Sequence, residues 1–403
     1  MKKNLTMMAF VACAALTIVS CSNDEVADSA VKQKEQAIEF GTYVGRDVQS
    51  RGAVTDLDAL KQSTGKFGVF AHYTQNADYS AGATAANFMY NQEVSWDGAA
   101  WTYSPVKYWP NNGYYQAGVG EAQYTDKISF FAYGPYQDHN GYGAAGVTGM
   151  TGNAASSDPC LTFTTAAEVK GQVDLVAAQL MNQKKKANNA KIQFPFEHVL
   201  SRVGFTVTAI VDNATEPDNV AGTGALGTTG TLDAKTKIYV TQVDLIGDFD
   251  TEATYNLYTK DWGSNTTLAE QTYSWTADAD NFAQYTASAG VSASDNKQIV
   301  LAAGETAQKK VNAEDSYAMI IPQEAENVRI KVTYNVVTED ANLSGGKSTV
   351  SNVVTSNKFD MTFVKGKAYM FNIRLGMTSV KVDAAVADWA ADENEFVNVP
   401  TNY

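Results

Sequence analysis

Side chains that could do chemistry are few and scattered in this chain of 403 residues. There are three histidines, His72, His139 and His198. None has a partner four residues on or a cysteine nearby, so the zinc-ligand spacings fail. No nucleophile-elbow sequence offers a serine to any of them. The 44 Asp and Glu residues leave room for a pair of carboxylates flanking a glycosidic bond, yet most fall in loop-like stretches and solvated faces. Gly118-Val119-Gly120 lacks the strand–helix context and the Lys-Ser/Thr ending of a phosphate loop. The sequence therefore predicts no catalytic residue, no metal ligand, no cofactor and no enzyme. One group remains: Trp96, Trp101, Tyr103, Tyr108 and Trp109. Trp96, Trp101 and Trp109 are candidate ligand-facing rings on which a sugar would stack. The competing reading makes the same rings cross-strand pairs that stabilise a sheet.

The elements that would hold these residues read as β-structure. Thr, Val, Tyr, Phe, Ala and Gly dominate and Leu is scarce, a strand-forming composition. Apolar residues alternate at Val203, Phe205 and Val207, at Val328 to Tyr334, and at Tyr369 to Leu375, the period of a half-buried strand. A phase slip between Ile238-Val240 and Val243-Leu245 predicts a bulge. Tyr317, Met319 and Ile321 stop at Pro322, which suits a strand end. In the first half, strands are expected at Ala37–Val44, Phe67–Tyr73, Phe88–Trp96, Trp101–Pro105, Ile128–Tyr133, Leu161–Thr164, Leu175–Ala178 and Ile192–Phe196. Asp97-Gly98 supplies a hairpin turn, and Asp56–Gln62 a short helix with Thr55 as N-cap. Gly141–Ser157 and Ala221–Gly230 read as loops. The expected organisation is all-β: two tandem β-sandwich domains, 37–198 and 199–403, with a break near Glu197–Arg202.

The N-terminus predicts an address. Met1-Lys2-Lys3 followed by an uncharged apolar run from Leu5 to Val19 reads as a signal peptide, residues 1–20, because the run is too short to span a bilayer. Ile18-Val19-Ser20-Cys21 resembles the lipobox of bacterial lipoproteins. That resemblance implies cleavage before Cys21 and a diacylglycerol on its thiol, with palmitate among the acyl groups; the alternative is an ordinary signal peptide with an incidental cysteine. Several acyl chains would hold the protein stably to a membrane. Residues 21–36 read as a flexible tether, and the acidic Ser22-Asn23-Asp24-Glu25 resembles a surface-export signal of Bacteroidota lipoproteins. Once Cys13 is discarded and Cys21 acylated, Cys160 has no disulfide partner. The formal net charge is −14, and loss of Lys2 and Lys3 makes it more negative. Such a chain repels nucleic acid.

Several segments resemble the fimbrillin-like lipoproteins of Bacteroidota, subunits of type V pili. They are Phe67-Gly68-Val69-Phe70-Ala71, Phe88-Met89-Tyr90-Asn91, Trp96-Asp97-Gly98, Trp101-Thr102-Tyr103-Ser104-Pro105 and Lys107-Tyr108-Trp109-Pro110. Ile128 to Tyr133, Val173 to Ala177, Phe196 to Arg202 and Val382 to Trp389 continue the series. The resemblance implies two transthyretin-like β-sandwiches and a life as a surface-exposed outer-membrane precursor of a fimbrium. It also implies a mechanism. An N-terminal strand covers the core, a protease cuts behind it, the strand leaves, and a strand of another fimbrial subunit takes its place. On this sequence the removable strand would be Ala37–Val44, and the cut would follow Arg46 or Arg51. The incoming strand would come from a C-terminal tail, with Ser379–Val382 and Phe396–Val399 as candidates. Adhesion to host or bacterial surface glycans or proteins would follow. The rival is a monomeric surface glycan-binding lipoprotein.

Overall fold

A computed structural model describes residues 35–44, 57–61, 66–82, 84–110, 113–114, 123–186, 191–209, 234–263, 268–277, 282–283, 298–302, 308–313, 316–375, 380–389 and 397–399. Cys21, Arg46, Arg51 and the Ala221–Gly230 stretch lie outside these residues, as does Thr55. Residues 36–403 fall in one compact unit.

Almost every described element is a strand, as the composition requires. Seven strands form the first sheet, and all come from residues before 199. Its centre is Phe67–Tyr73 paired antiparallel with Ile128–Gly134. Both strands are buried along nearly their whole length, so both faces of this sheet are covered. Phe67, Val69, Phe130 and Ala132 face one core, together with Phe40, Trp101, Trp109 and Phe194. Phe70, Phe131 and Tyr133 face a second core with Leu161, Phe163 and Tyr255. Continuous apolar runs in these two strands reflect that double burial.

The second half places two sheets over a third core. Ser201–Ala209 and Lys367–Leu375 pair in parallel, and Thr236–Phe249 pairs antiparallel with Gln323–Glu339. Val203, Phe205, Phe371 and Ile373 meet Val243, Leu245, Ile330 and Val332. The alternating residues read from the sequence all point inward here. The expected bulge is present as a register shift between Val240 and Gln242.

One feature departs from the expectation of a loop over Gly141–Ser157. That stretch contains a strand, Gly146–Met150, paired with Cys160–Thr164; its two glycines carry little strand propensity, and it is held by that pairing and by Val147, which is buried in the second core. The four-stranded sheet that holds this pair also takes Glu252–Asn256, which pairs with Cys160–Thr164. Strands from both sides of residue 199 thus share one ladder. The short helix is described over Leu57–Lys61; Asp56 and Gln62 lie outside the described residues. Leu60 plugs it into the first core with no exposure.

Candidate functional site: the slot of the first strand

Ala37–Val44 was expected to alternate, and in the structure it enters the first sheet as an edge. Ile38 and Phe40 are buried, Glu39 is exposed, and Phe40–Val44 forms the regular strand. Its ladder partner is Ile192–His198, and the pairing is parallel: Phe40 opposite Ile192, Thr42 opposite Phe194, Val44 opposite Phe196. The partner strand is suited to this. Ile192 donates its N–H to the Glu39 carbonyl at 2.8 Å, so by the period of two Phe194 and Phe196 also face the first strand. Pro195, which has no N–H, faces the other way. There the ladder to Val176–Gln183 reaches only Glu197 and His198.

Just upstream the chain changes neighbour. Ile38 donates to the Lys107 carbonyl and Trp109 donates to the Gln36 carbonyl, each at 2.9 Å. Tyr103 donates its hydroxyl to the Ile38 carbonyl at 2.8 Å. Trp101 donates its ring N–H to the Thr42 hydroxyl at 3.1 Å. Lys191 sits 3.7 Å from the Glu39 carboxylate, both half exposed, a contact worth little in water. The Tyr103 phenol is pushed above its ordinary pKa by burial, so it stays a donor.

Phe40 is the centre of the slot. Its ring lies 5.1 Å from Tyr103, 5.5 Å from Phe194, 5.9 Å from Phe130 and 6.4 Å from Phe67. Burying Ile38 and Phe40 stabilises the fold by about 1.5–3 kcal/mol each. A Cβ at Gly41 would fall 2.2 Å from the side-chain oxygen of Gln193, so the end of that side chain would have to move.

The aromatic group resolves on the same geometry. Trp101 and Trp109 are 8% and 4% exposed and belong to the core that holds Phe40. Neither ring turns a face to solvent, so in this structure they pack and do not form a stacking platform. Trp96 is half-buried, edge-on to Trp101 at 5.4 Å, with the Lys61 ammonium 5.2 Å above its ring. Tyr108 is 50% exposed. Asp97-Gly98 makes the predicted turn: Gly98 has φ 101° and the Asp97 carboxylate accepts from Ala99 and Ala100.

The three histidines are far apart in role. His72 is buried against Tyr79 and Phe131. His139 is edge-on to Tyr90. His198 places its Nδ1 2.8 Å from the carboxylate of the fully buried Asp174, which accepts the hydrogen bond, and stacks on Trp389 at 4.5 Å. Sequence reading missed this last link, which crosses from one half to the other; no periodic signal marks it. Among the described residues no group of three His, Cys, Asp or Glu side chains could hold a metal.

Of the two C-terminal candidates, Val380–Val382 and Val397–Val399 are paired within the chain, while Ser379 and Phe396 lie outside the described residues. Val380–Asp388 lies between Lys367–Leu375 and Val397–Val399, and Val397–Val399 is the outermost strand of its sheet, against Ala384–Val386.

An all-β protein whose core is closed by an edge strand at one end of the chain is the class this geometry defines. Its sequence matches the Fimbrillin-like family model over residues 56–389, and the chain belongs to that family. It is 27% identical to fimbrium subunit Fim1C of Phocaeicola vulgatus, over 96% of this chain and 97% of that protein. A crystal structure of a fimbrial protein from Bacteroides vulgatus shares the fold, with a TM-score of 0.60 and 21% identity, covering 88% of this chain and 99% of that one. The family match begins beyond the first strand and both arginines, and ends at Trp389.

Proposed function

We propose that this chain is a structural subunit of a surface fimbria, exported as a lipoprotein on Cys21 and assembled when proteolysis after Arg46 or Arg51 releases the first strand. The observation that carries the reading is the first strand itself. It closes the core with Ile38 and Phe40, yet it is an edge whose regular ladder has one strand beside it. Its covalent link to the remainder runs through the stretch that holds both arginines. Loss of the strand would uncover Phe67, Phe130, Phe194 and the backbone of Ile192–His198. An exposed apolar groove beside unpaired backbone is a template for another strand, and an added strand repairs both defects. Repeating one such head-to-tail contact without ring closure builds a filament.

On this reading Cys21 and its lipid deliver the precursor to the outer membrane and stay with the released piece. The partners are other fimbrial subunits, and the assembled fimbria contributes to adhesion to cell-surface glycans or proteins.

The test is limited digestion of the full chain with a trypsin-like protease. Cutting after Arg46 or Arg51 is expected to release the strand and convert monomer into ladders that survive mild SDS. The double variant R46A/R51A is expected to stay uncut and monomeric. A trimmed protein that remains monomeric at high concentration overturns the reading. Independently, C21A is expected to lose radiolabelled palmitate and membrane association.

A further inference from the structure

A second edge strand, in the other half of the molecule, has the opposite character. Lys347–Thr355 pairs with Gln323–Glu339 in an unbroken antiparallel register, from Lys331 opposite Thr355 to Glu339 opposite Lys347. It is the last strand of its sheet. Its residues are exposed on both faces apart from Asn352 and Val354, and Val350 and Val353 are 58% and 63% exposed. Among the described residues no strand covers its outer side.

The direction of its backbone groups follows from the two ends of the hairpin. Asp340 donates to the Gly346 carbonyl and Ser356 donates to the Ile330 carbonyl, each at 2.9 Å. Hydrogen-bonded pairs alternate with non-bonded pairs in an antiparallel ladder. Ser348, Val350, Asn352 and Val354 therefore point their N–H and C=O toward Gln323–Glu339. Lys347, Thr349, Ser351, Val353 and Thr355 point theirs outward. Proteins ordinarily blunt such an edge with charge, proline or a bulge. This strand has no proline, no register shift and one charge, at its end.

We propose that this edge is a lateral docking site for a second copy of the same chain, the two Lys347–Thr355 strands pairing antiparallel about a two-fold axis at Ser351. The argument for that occupant is self-complementarity. With Ser351 opposite itself, Thr349 faces Val353, Lys347 faces Thr355, and every outward-pointing residue meets another. A two-fold centred on Thr349 or Val353 leaves outward residues unmatched. Both lysines lie at opposite ends of the paired ribbon, so like charges do not face each other. The chain as a whole is strongly acidic, with a formal charge of −14, and would repel its copies elsewhere; this strand carries no Asp or Glu. Thr and Val are both β-branched and favour the strand conformation. A ribbon of this size gives a weak contact between free monomers. It gains strength where many copies are held in a row, because each further contact is then intramolecular.

The test uses register. A hydrogen-bonded antiparallel pair has Cα atoms about 5.5 Å apart, within disulfide reach. S351C in the full uncut chain is therefore expected to form disulfide-linked dimers on mild oxidation, well above the background of the wild type with its own cysteines Cys13, Cys21 and Cys160. V350C, equally exposed but opposite Asn352, is expected to crosslink at least several-fold less. Adding V353P to S351C removes an outward N–H without touching the ladder to Gln323–Glu339, and is expected to abolish the crosslink with the melting temperature little changed. Equal crosslinking of S351C and V350C, or crosslinking indifferent to V353P in a folded protein, overturns the proposal. No proteolysis is involved, so a negative result here leaves the first-strand reading standing, and a failure of strand release leaves this edge standing.

Discussion

The two edge strands, Phe40–Val44 and Lys347–Thr355, hold equivalent places at the ends of their sheets and are retained by opposite means. The first is joined to a strand about 150 residues away in sequence, in parallel, and is anchored by the side chains of Ile38 and Phe40. The second is covalently one arm of a hairpin and keeps its place through backbone pairing, with most of its side chains in solvent. The difference shows what each can give up. Removing the first strand opens a core; covering the second adds a strand without disturbing one.

The largest effect expected from this contrast is at Phe40. F40A should cost about 3–5 kcal/mol, the range for a buried Phe truncated to Ala, read as a fall in the midpoint of chemical denaturation. V350A in the other edge should stay within about 0.5 kcal/mol, as surface changes do. If the two variants melt alike, the contrast in anchoring is wrong.

Next comes the polar end of the slot. T42V removes the acceptor of the Trp101 ring N–H and leaves that donor buried, at a cost of about 1–3 kcal/mol. In a W101F background the same substitution should be close to neutral. An unchanged penalty in the double variant would show that Thr42 acts through packing and not through this bond.

A smaller, pH-dependent effect belongs to His72, behind the sheet that carries the first strand. Burial holds its pKa below the ordinary imidazole value, opposed in part by the backbone near Thr84 and by Asp158. Its Nε2 has no hydrogen-bond partner. The native state thus binds the proton less readily than the unfolded chain. Stability present above about pH 6.5 is lost as pH falls from there through the folded pKa. Thermal melts of H72F across that range should show a flatter slope than wild type.

The smallest effect should be at Glu39. E39A removes a half-exposed ion pair to Lys191 and should change stability by well under about 1 kcal/mol. A larger loss would mean that the first strand is held by charge as well as by its apolar side chains.

How legible all this was depends on what each residue answers to. Phe67–Tyr73 reads directly from sequence, because a run buried on both faces is largely apolar, here with His72 as the exception. Val203, Phe205 and Val207 read from alternation. The strand Gly146–Met150 does not, since two of its five residues are glycines and its partner Cys160–Thr164 and the core that takes Val147 are supplied only by the fold. The aromatic group shows a limit of another kind. Composition places Trp101 and Trp109 near one another but cannot say which way they face. They turn inward against Phe67 and Phe130, rings on strands that only the fold brings beside them. The slot itself was legible in its covering strand and silent in its walls: nothing local announces that Tyr103 and Trp101 bind the backbone and side chain of residues 38 and 42.

The shared ladder of Cys160–Thr164 and Glu252–Asn256 bears on mechanics. If the chain assembles into a filament as proposed, a pull entering through one half of the molecule and leaving through the other would not rest on the short peptide link at Val199-Leu200 alone. It would also be borne by interstrand hydrogen bonds that must yield together, and by the His198 ring clasped between Asp174 and Trp389. The molecule is in this respect a rivet and not a hinge: load would be shared across the joint before either half extends.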